Sequence, residues 1–268
     1  MGENRIQRGV GIMIRVILQG CNGRMGKVIT KLMEEDEQTT IVAGIDPFDD
    51  GRNSYPVFET MGQCDVDADV VVDFSNAKAT DGMLSECVKK RLPVVLCTTG
   101  LSEEQIEKVK EASETIPVLR SANMSLGINL LMELIQKAAL VLADEGFDIE
   151  ILEKHHRHKL DAPSGTAIAL ADSINEVLEN SYEYTFDRSG QRRERKDHEI
   201  GFSSIRGGSI VGEHDVVFAG MDEVITISHQ AQSRDIFGKG ALAAAKFLAG
   251  KQAGMYSMSD VIAGKGKN

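Results

Sequence analysis

Positive charge is in short supply in this chain: 30 Lys and Arg stand against 41 Asp and Glu, a formal charge of −11. That balance repels nucleic acid and anionic membrane, so neither is expected as a partner unless a small basic patch overrides it. Cysteine is scarce too. Cys21, Cys64, Cys87 and Cys97 show no C-x-x-C spacing and fall in or beside predicted strands and helices, which reads as free buried thiols in a reducing compartment. No segment approaches the roughly 18 consecutive apolar residues of a membrane span, and the first residues lack the apolar core of a signal peptide. Internal repeats and low-complexity tracts are absent as well. What remains, with 42% hydrophobic and 26% charged residues over 268 positions, is the profile of a cytoplasmic enzyme large enough for two domains.

Residues 1–12 are polar and read as a disordered leader or an upstream start. From Met13 an apolar strand runs into Gly20-Cys21-Asn22-Gly23-Arg24-Met25-Gly26, followed by a helix with Val28, Ile29, Leu32 and Met33 on one side. A second strand, 40–45, ends at Asp46. This is a β-α-β unit with glycines at its first turn and an acid at the end of its second strand. Glycines let a backbone approach a pyrophosphate, the helix start binds it, and the acid accepts hydrogen bonds from a ribose. The spacing is G-x-x-G-x-x-G, and the placement between strand and helix is what makes it informative.

Val-rich strands follow at 69–74 and 93–97, each leading into a helix (77–90, and one opened by the capping pattern Ser102-x-x-Gln105). In an open parallel sheet, ligands lie beyond the carboxyl ends of the strands. Phe74-Ser75, Cys97-Thr98-Thr99 and Ser121 to Met124 are therefore expected to line one crevice with the glycine turn. A helix at 127–143 is pure core packing. Charge concentrates between 179 and 198, read as an exposed, mobile loop, and strand patterns return at 200–205, 209–211, 216–219 and 224–228 before a last Ala-rich helix at 238–249. The expected fold is α/β: an N-terminal Rossmann-like parallel sheet plus a second α+β domain with an open mixed sheet and two helices on one face. Oligomerisation is the economical way to cover the other face.

The chain is organised around Glu150 to Ala167. Ile149 and Ile151 alternate as in a short strand over 148–152, Lys154-His155-His156-Arg157-His158-Lys159 follows, and Pro163-Ser164-Gly165-Thr166 opens a helix with Ser164 as N-cap. Cations, titratable imidazoles and an anion-binding helix start within about a dozen residues suit a small carboxylate or phosphate substrate that must also be protonated.

Taken together, Glu153-x-His155-His156-Arg157-His158-Lys159-x-Asp161-Ala162-Pro163-Ser164-Gly165-Thr166-Ala167 closely resembles the signature of the bacterial dihydrodipicolinate reductases, the 4-hydroxy-tetrahydrodipicolinate reductases of diaminopimelate and lysine biosynthesis. Gly23-Arg24-Met25-Gly26, Asp73-Phe74-Ser75, Thr98-Thr99-Gly100, Asn123-Met124-Ser125, Arg206-Gly207-Gly208 and Gly212-Glu213-His214 match as well, so the resemblance covers nearly the whole chain from Met13. It implies a dinucleotide-binding domain at 13–125 with 237–268, and a substrate-binding and oligomerisation domain at 126–236 that forms a homotetramer. It implies His155 as proton donor and acceptor and Lys159 as proton donor. His156, Gly165 and Thr166 would bind a cyclic dicarboxylate. NADH or NADPH would be held by Gly20, Cys21, Asn22, Gly23, Arg24, Met25, Asp46, Cys97, Thr98, Thr99, Ser121, Ala122, Asn123 and Met124. Two departures stand out: Cys97 replaces a common Gly, and Pro47 follows Asp46 where some relatives place an Arg, which favours NADH.

Three rival readings fit the residues less well. A zinc hydrolase would need His155, His156 and His158 to converge, yet neighbours on an extended segment point to opposite sides, so no metal is expected. A dinucleotide-sensing regulator would not need His155 and Lys159 beside an anion-binding helix start. Another two-domain NAD(P)-dependent dehydrogenase would lack the His-His-Arg-His-Lys run.

Overall fold

The computed structural model describes residues 13–121, 123–190 and 192–265. The leader at 1–12 and the cofactor position Ala122 lie outside the described residues. In chain order the elements are β1 (Ile14–Gln19), α1 (Arg24–Glu34), β2 (Thr39–Ile45), β3 (Val57–Phe58), β4 (Val70–Asp73), α2 (Ala77–Lys90), β5 (Val94–Leu96), α3 (Glu103–Ser113), β6 (Pro117–Arg120), α4 (Leu126–Leu142), β7 (Asp148–His155), α5 (Gly165–Val177), β8 (Glu183–Thr185), β9 (Glu199–Arg206), β10 (Gly212–Ala219), β11 (Val224–Ala231), α6 (Asp235–Leu248), β12 (Gly254–Tyr256) and α7 (Met258–Lys265). The chain divides into two compact units, the first running up to Ser121 and resuming at Gly238, the second between them. Among the described residues no helix is long and apolar enough to cross a membrane.

The first unit is built on a seven-stranded sheet ordered β12-β6-β5-β4-β1-β2-β3, and all its pairings are parallel. Val16, Ile17 and Leu18 of β1 and Val70, Val71 and Val72 of β4 are wholly buried. Continuous apolar runs of this kind belong to strands covered on both faces. The chain travels outward through β2 and β3, then returns to place β4 on the opposite side of β1. The crevice beyond the ends of β1 and β4 is therefore the place where such a sheet takes a ligand. α3 begins with the predicted capping box, in which the Ser102 hydroxyl accepts from the Gln105 N–H and the Gln105 side chain accepts from the Ser102 N–H.

The second unit carries a mixed five-stranded sheet ordered β11-β10-β7-β9-β8. β10 pairs antiparallel with β7 and β11, whereas β7, β9 and β8 pair in parallel. On α4, Ile128, Leu131, Ile135 and Ala139 recur at helical spacing, and with Ala167, Leu170, Ala171 and Ile174 of α5 they cover Ile149, Ile151, Ile200, Val216 and Phe218 of the sheet. Each Ile, Leu, Val or Phe side chain among them contributes about 1.5–3 kcal/mol on burial.

Four expectations need correction. The strand ahead of the basic run does not stop at Leu152: β7 is central, and its pairing continues through Lys154 with Glu213 and His155 with Arg206. The segment 209–211 is no strand. Gly208 sits at φ +48°, and the turn folds onto the basic run, with the Gly207 N–H donating to the His155 carbonyl at 2.9 Å and the Arg157 N–H to the Gly208 carbonyl at 3.2 Å. The stretch 179–198 is not simply an exposed loop, because it contains β8 and its charges are tethered to the sheet. Arg188 pairs with Glu150 and Glu199, both at 2.6 Å, and Arg195 with Asp148 at 2.8 Å. Finally, α6 is not the last element, and the helix starts at Asp235. β12, too short to show an alternation, adds to β6 and leads into α7.

Candidate active site

At the glycine turn the backbone comes closer than a side chain would allow. Gly20 has φ +78°, and a Cβ there would lie 2.7 Å from the Phe74 carbonyl oxygen. At Gly26 a Cβ would strike the Gly20 and Cys21 carbonyls, so α1 can start this near the turn only with glycine. Gly23 is the N-cap of α1 and supplies no side-chain bond, so the first N–H groups of the helix are open to an anion. Beside the turn lies a cavity of about 770 Å³ lined by Gly20, Asp46, Phe48, Met61, Phe74 and Lys78 among others. That volume fits a dinucleotide half-site.

Asp46 is already engaged. Its Oδ2 accepts from the Asn22 N–H at 3.1 Å and its Oδ1 from the Phe48 N–H at 3.0 Å, which ties the acid to the turn. Arg24 is exposed and Met25 half-buried, while Cys21 is fully buried, its thiol pushed up to about 11 by burial and then by Asp46. Past the neighbouring strands, Thr98 Oγ1 donates to Asp73 at 2.7 Å, Cys97 and Ser121 are half-buried, and Thr99 is exposed. All four cysteines carry free thiols, three of them buried. The structure places Asn123 and Met124 in the second unit. There both are buried, and the Asn123 amide donates to Thr166 Oγ1 at 3.0 Å.

In the second unit the strand period decides the chemistry. Ile149, Ile151, Glu153 and His155 occupy one side of β7, so the inner face turns from apolar to ionisable near the strand's end. Glu153 is completely buried. Its Oε2 lies 2.5 Å from His155 Nδ1, and Arg206 donates to Oε2 at 2.8 Å and to Oε1 at 2.5 Å. The backbone N–H of Ser164 also donates to Oε1, at 3.2 Å. Burial alone would raise this carboxyl, but Arg206, Ser204 and His155 together hold it down at about 2. An ionised carboxylate only accepts, so Nδ1 carries the proton and Nε2 of the neutral ring is the free nitrogen. Burial pulls the His155 pKa below its usual value, partly offset by Glu153 and reinforced by the charges of Lys159 and Arg206.

Ser164 caps α5 as expected, its hydroxyl accepting from the Ala167 N–H at 3.1 Å. The same hydroxyl meets His214 Nε2 at 3.0 Å, and the His214 ring stands edge-on to His155 with centroids 5.2 Å apart. Burial, then His155, pushes His214 down to about 4, so it is neutral. A cavity of about 60 Å³ gathers Asn123, His155, Thr166, His214, His229 and Arg234. Lys159 Nζ pairs with Asp161 at 2.9 Å. His156 is half-buried with its ring 6.4 Å from that of His158, and Gly165 is exposed with nothing within 4 Å of a Cβ built on it.

The structure thus brings His155 and Thr166 to one cavity and leaves His156, Lys159 and Gly165 outside its lining. Sequence reasoning gave no role to Glu153, Arg206, His214, His229, Arg234 or Lys78. Glu153 had a signal, since it lies two residues before His155 on an extended run and must share its face. Arg206 and His214 reach β7 only through strand pairings across 50 or more residues, and Lys78 meets its cavity from α2.

Residues 14–124 match the family described as "Dihydrodipicolinate reductase, N-terminus" and residues 127–262 the one described as "Dihydrodipicolinate reductase, C-terminus". A 4-hydroxy-tetrahydrodipicolinate reductase of Caldanaerobacter subterraneus is 54% identical over 255 residues, covering 94% of this chain and 99% of the relative. One from Clostridium novyi is 49% identical, covering 94% and 100%. Among solved structures, a dipicolinate-bound dihydrodipicolinate reductase from Paenisporosarcina sp. superposes with a TM-score of 0.78 at 24% identity, covering 92% of this chain and 98% of that one. A probable dehydrogenase from Thermotoga maritima shares the fold at a TM-score of 0.60 and 12% identity, covering 92% of each chain.

Proposed function

The chain belongs to the dihydrodipicolinate reductase family, and from that premise we propose that it reduces 4-hydroxy-tetrahydrodipicolinate to tetrahydrodipicolinate with NADH or NADPH, in diaminopimelate and lysine biosynthesis. The observation that carries the residue roles is the meeting, in the second unit, of an oriented imidazole, a lysine and a capped helix start.

On the cofactor side, Gly20 to Met25, Asp46, Cys97 to Thr99 and Ser121 to Met124 would hold the dinucleotide. The turn fits it, since α1 begins at the glycine turn without a side-chain cap and so leaves its first N–H groups to a phosphate. When bound, the reduced nicotinamide supplies the hydride.

Negative charge left on the substrate ring is met by this chain's own groups. Lys159 is the cation and proton donor, and His155 takes or gives a proton at Nε2 while Glu153 keeps Nδ1 occupied. The two substrate carboxylates suit Lys159, His156 and the N–H groups of Gly165 and Thr166 at the start of α5. NADH is favoured because Asp46 repels a 2′-phosphate and Pro47 adds no cation, and Lys78 on the cavity wall limits the preference.

The same reading includes a homotetramer in the cytoplasm. Leu152, Val217 and the exposed Ile205 and Val224 lie on the sheet face away from α4 and α5, the face that needs a cover. Oxidation of NADH and NADPH by purified protein with freshly synthesised 4-hydroxy-tetrahydrodipicolinate tests the activity. A rate equal to the substrate-free control overturns it, and light scattering on the same preparation measures the subunit number.

A further inference from the structure

We propose that Glu153 is a positioning residue that holds His155 in a single tautomer and, through the same carboxylate, fixes the start of α5. This rests on His155 being the proton-transfer group. The geometry is specific: one oxygen faces His155 Nδ1 at 2.5 Å, and the other accepts the Ser164 N–H at 3.2 Å. Arg206 reaches both oxygens and also donates to the Asp161 carbonyl at 2.7 Å, so the carboxylate cannot swing away from the imidazole. Because Glu153 has no exposed surface, water cannot take over either contact.

The consequence is chemical. An acceptor-only partner forces Nδ1 to carry the proton and directs the lone pair of the neutral ring to Nε2. A Cβ built on Gly212 would lie 3.1 Å from Nε2, so that side of the ring is kept open by a residue without a side chain. The proton-transfer nitrogen and the carboxylate-binding helix end are thereby set by one buried group, which any base needing both proton and substrate aligned requires.

The charged and titratable groups acting on His155 are Glu153 on its own strand, Arg206 from β9, His214 from β10 and Lys159 from the following loop. Of these, Glu153 is the one that supports the imidazolium. Removing its charge shifts the His155 titration to lower pH.

The test is ¹⁵N imidazole NMR and a kcat–pH profile on the full chain, comparing wild type with Glu153→Gln, with His155→Gln to assign the signals. An amide can donate as well as accept. Glu153→Gln should therefore mix the two tautomers, move the His155-linked limb of kcat to lower pH and reduce kcat roughly 10- to 100-fold, with the KM for NADH unchanged. Should the lone Arg206 charge prevent folding, Glu153→Gln combined with Arg206→Met removes both charges and still reads the tautomer mixture, with a smaller shift of the kcat limb because Arg206 no longer lowers His155. A single Nδ1–H tautomer and a wild-type profile in the folded variant would overturn the proposal. Near-normal turnover in His155→Gln would instead sink the assignment of His155, and the tautomer spectrum would still judge Glu153.

Discussion

Thr98 Oγ1 donates to Asp73 Oδ2 at 2.7 Å, and the other oxygen of this fully buried carboxylate accepts from the Ser75 N–H at 3.1 Å and the Ser75 hydroxyl at 2.5 Å. The bond ties the end of β4 to the loop after β5, both at the ligand end of the parallel sheet. Burial raises the Asp73 pKa, and the three donors only partly offset it. Glu153 is buried as completely but is held low, because Arg206 faces it. The Arg206 guanidinium, which Asp73 lacks, together with the bonds from Ser204 and His155, separates the two cases.

The sign of the pH effect follows. A carboxyl raised in the fold binds its proton more tightly folded than unfolded, so its contribution to stability falls as pH rises from the ordinary carboxylate range through the raised value. Thr98→Val removes a donor, raises Asp73 further and leaves a lone pair unmatched, a cost of about 1–3 kcal/mol or a few degrees in Tm. Melting curves from pH 4 to 8 should show the deficit growing with pH. An equal deficit at every pH would mean that Asp73 is not the group responsible.

Replacing either proton-transfer residue should separate chemistry from binding. For His155→Ala and Lys159→Ala, kcat is expected to fall by roughly 10²-fold or more while the KM for NADH stays near wild type. Lys159 is tied to Asp161 at 2.9 Å, so its removal also frees a carboxylate beside the helix start and should raise the substrate KM as well. Steady-state kinetics on both variants decides the matter, and near-normal turnover in both would end the assignment.

Gly165→Val tests the substrate carboxylate site. A Cβ at this position meets nothing within 4 Å, so the fold should tolerate the change, whereas a ligand approaching the helix N–H groups would not. The expected outcome is a sharp rise in the KM for the dicarboxylate with Tm preserved. An unchanged KM would place the substrate elsewhere.

Cofactor choice is the last test. NADH should be preferred by no more than ~1–2 kcal/mol, since an exposed rim screens the repulsion between Asp46 and a 2′-phosphate. The cation on the cavity wall is Lys78, to which the sequence reading gave no role. Lys78→Ala should therefore lower kcat/KM for NADPH and spare NADH, with the gap shrinking at high salt. A loss for both cofactors, or for neither, would remove Lys78 from the account.

What the sequence determined by itself is what rests on local rules. Gly20, Gly23 and Gly26 between a strand and a helix, the Ser102 and Ser164 caps, and the apolar runs of β1 and β4 all act within a few residues, so they can be read along the chain. Tertiary structure decided the rest. The Ile149/Ile151 alternation ceases to be apolar at Glu153, and only the pairing of β7 with β9 and β10 shows that the strand continues and that Arg206 and His214 close around His155. In the same way Arg188, Arg193 and Arg195 look solvated until the pairing of β7 with β9 brings Glu150 and Glu199 beneath them. A buried charge tolerates its surroundings only through a partner, and when that partner lies some 50 residues away no local pattern announces it.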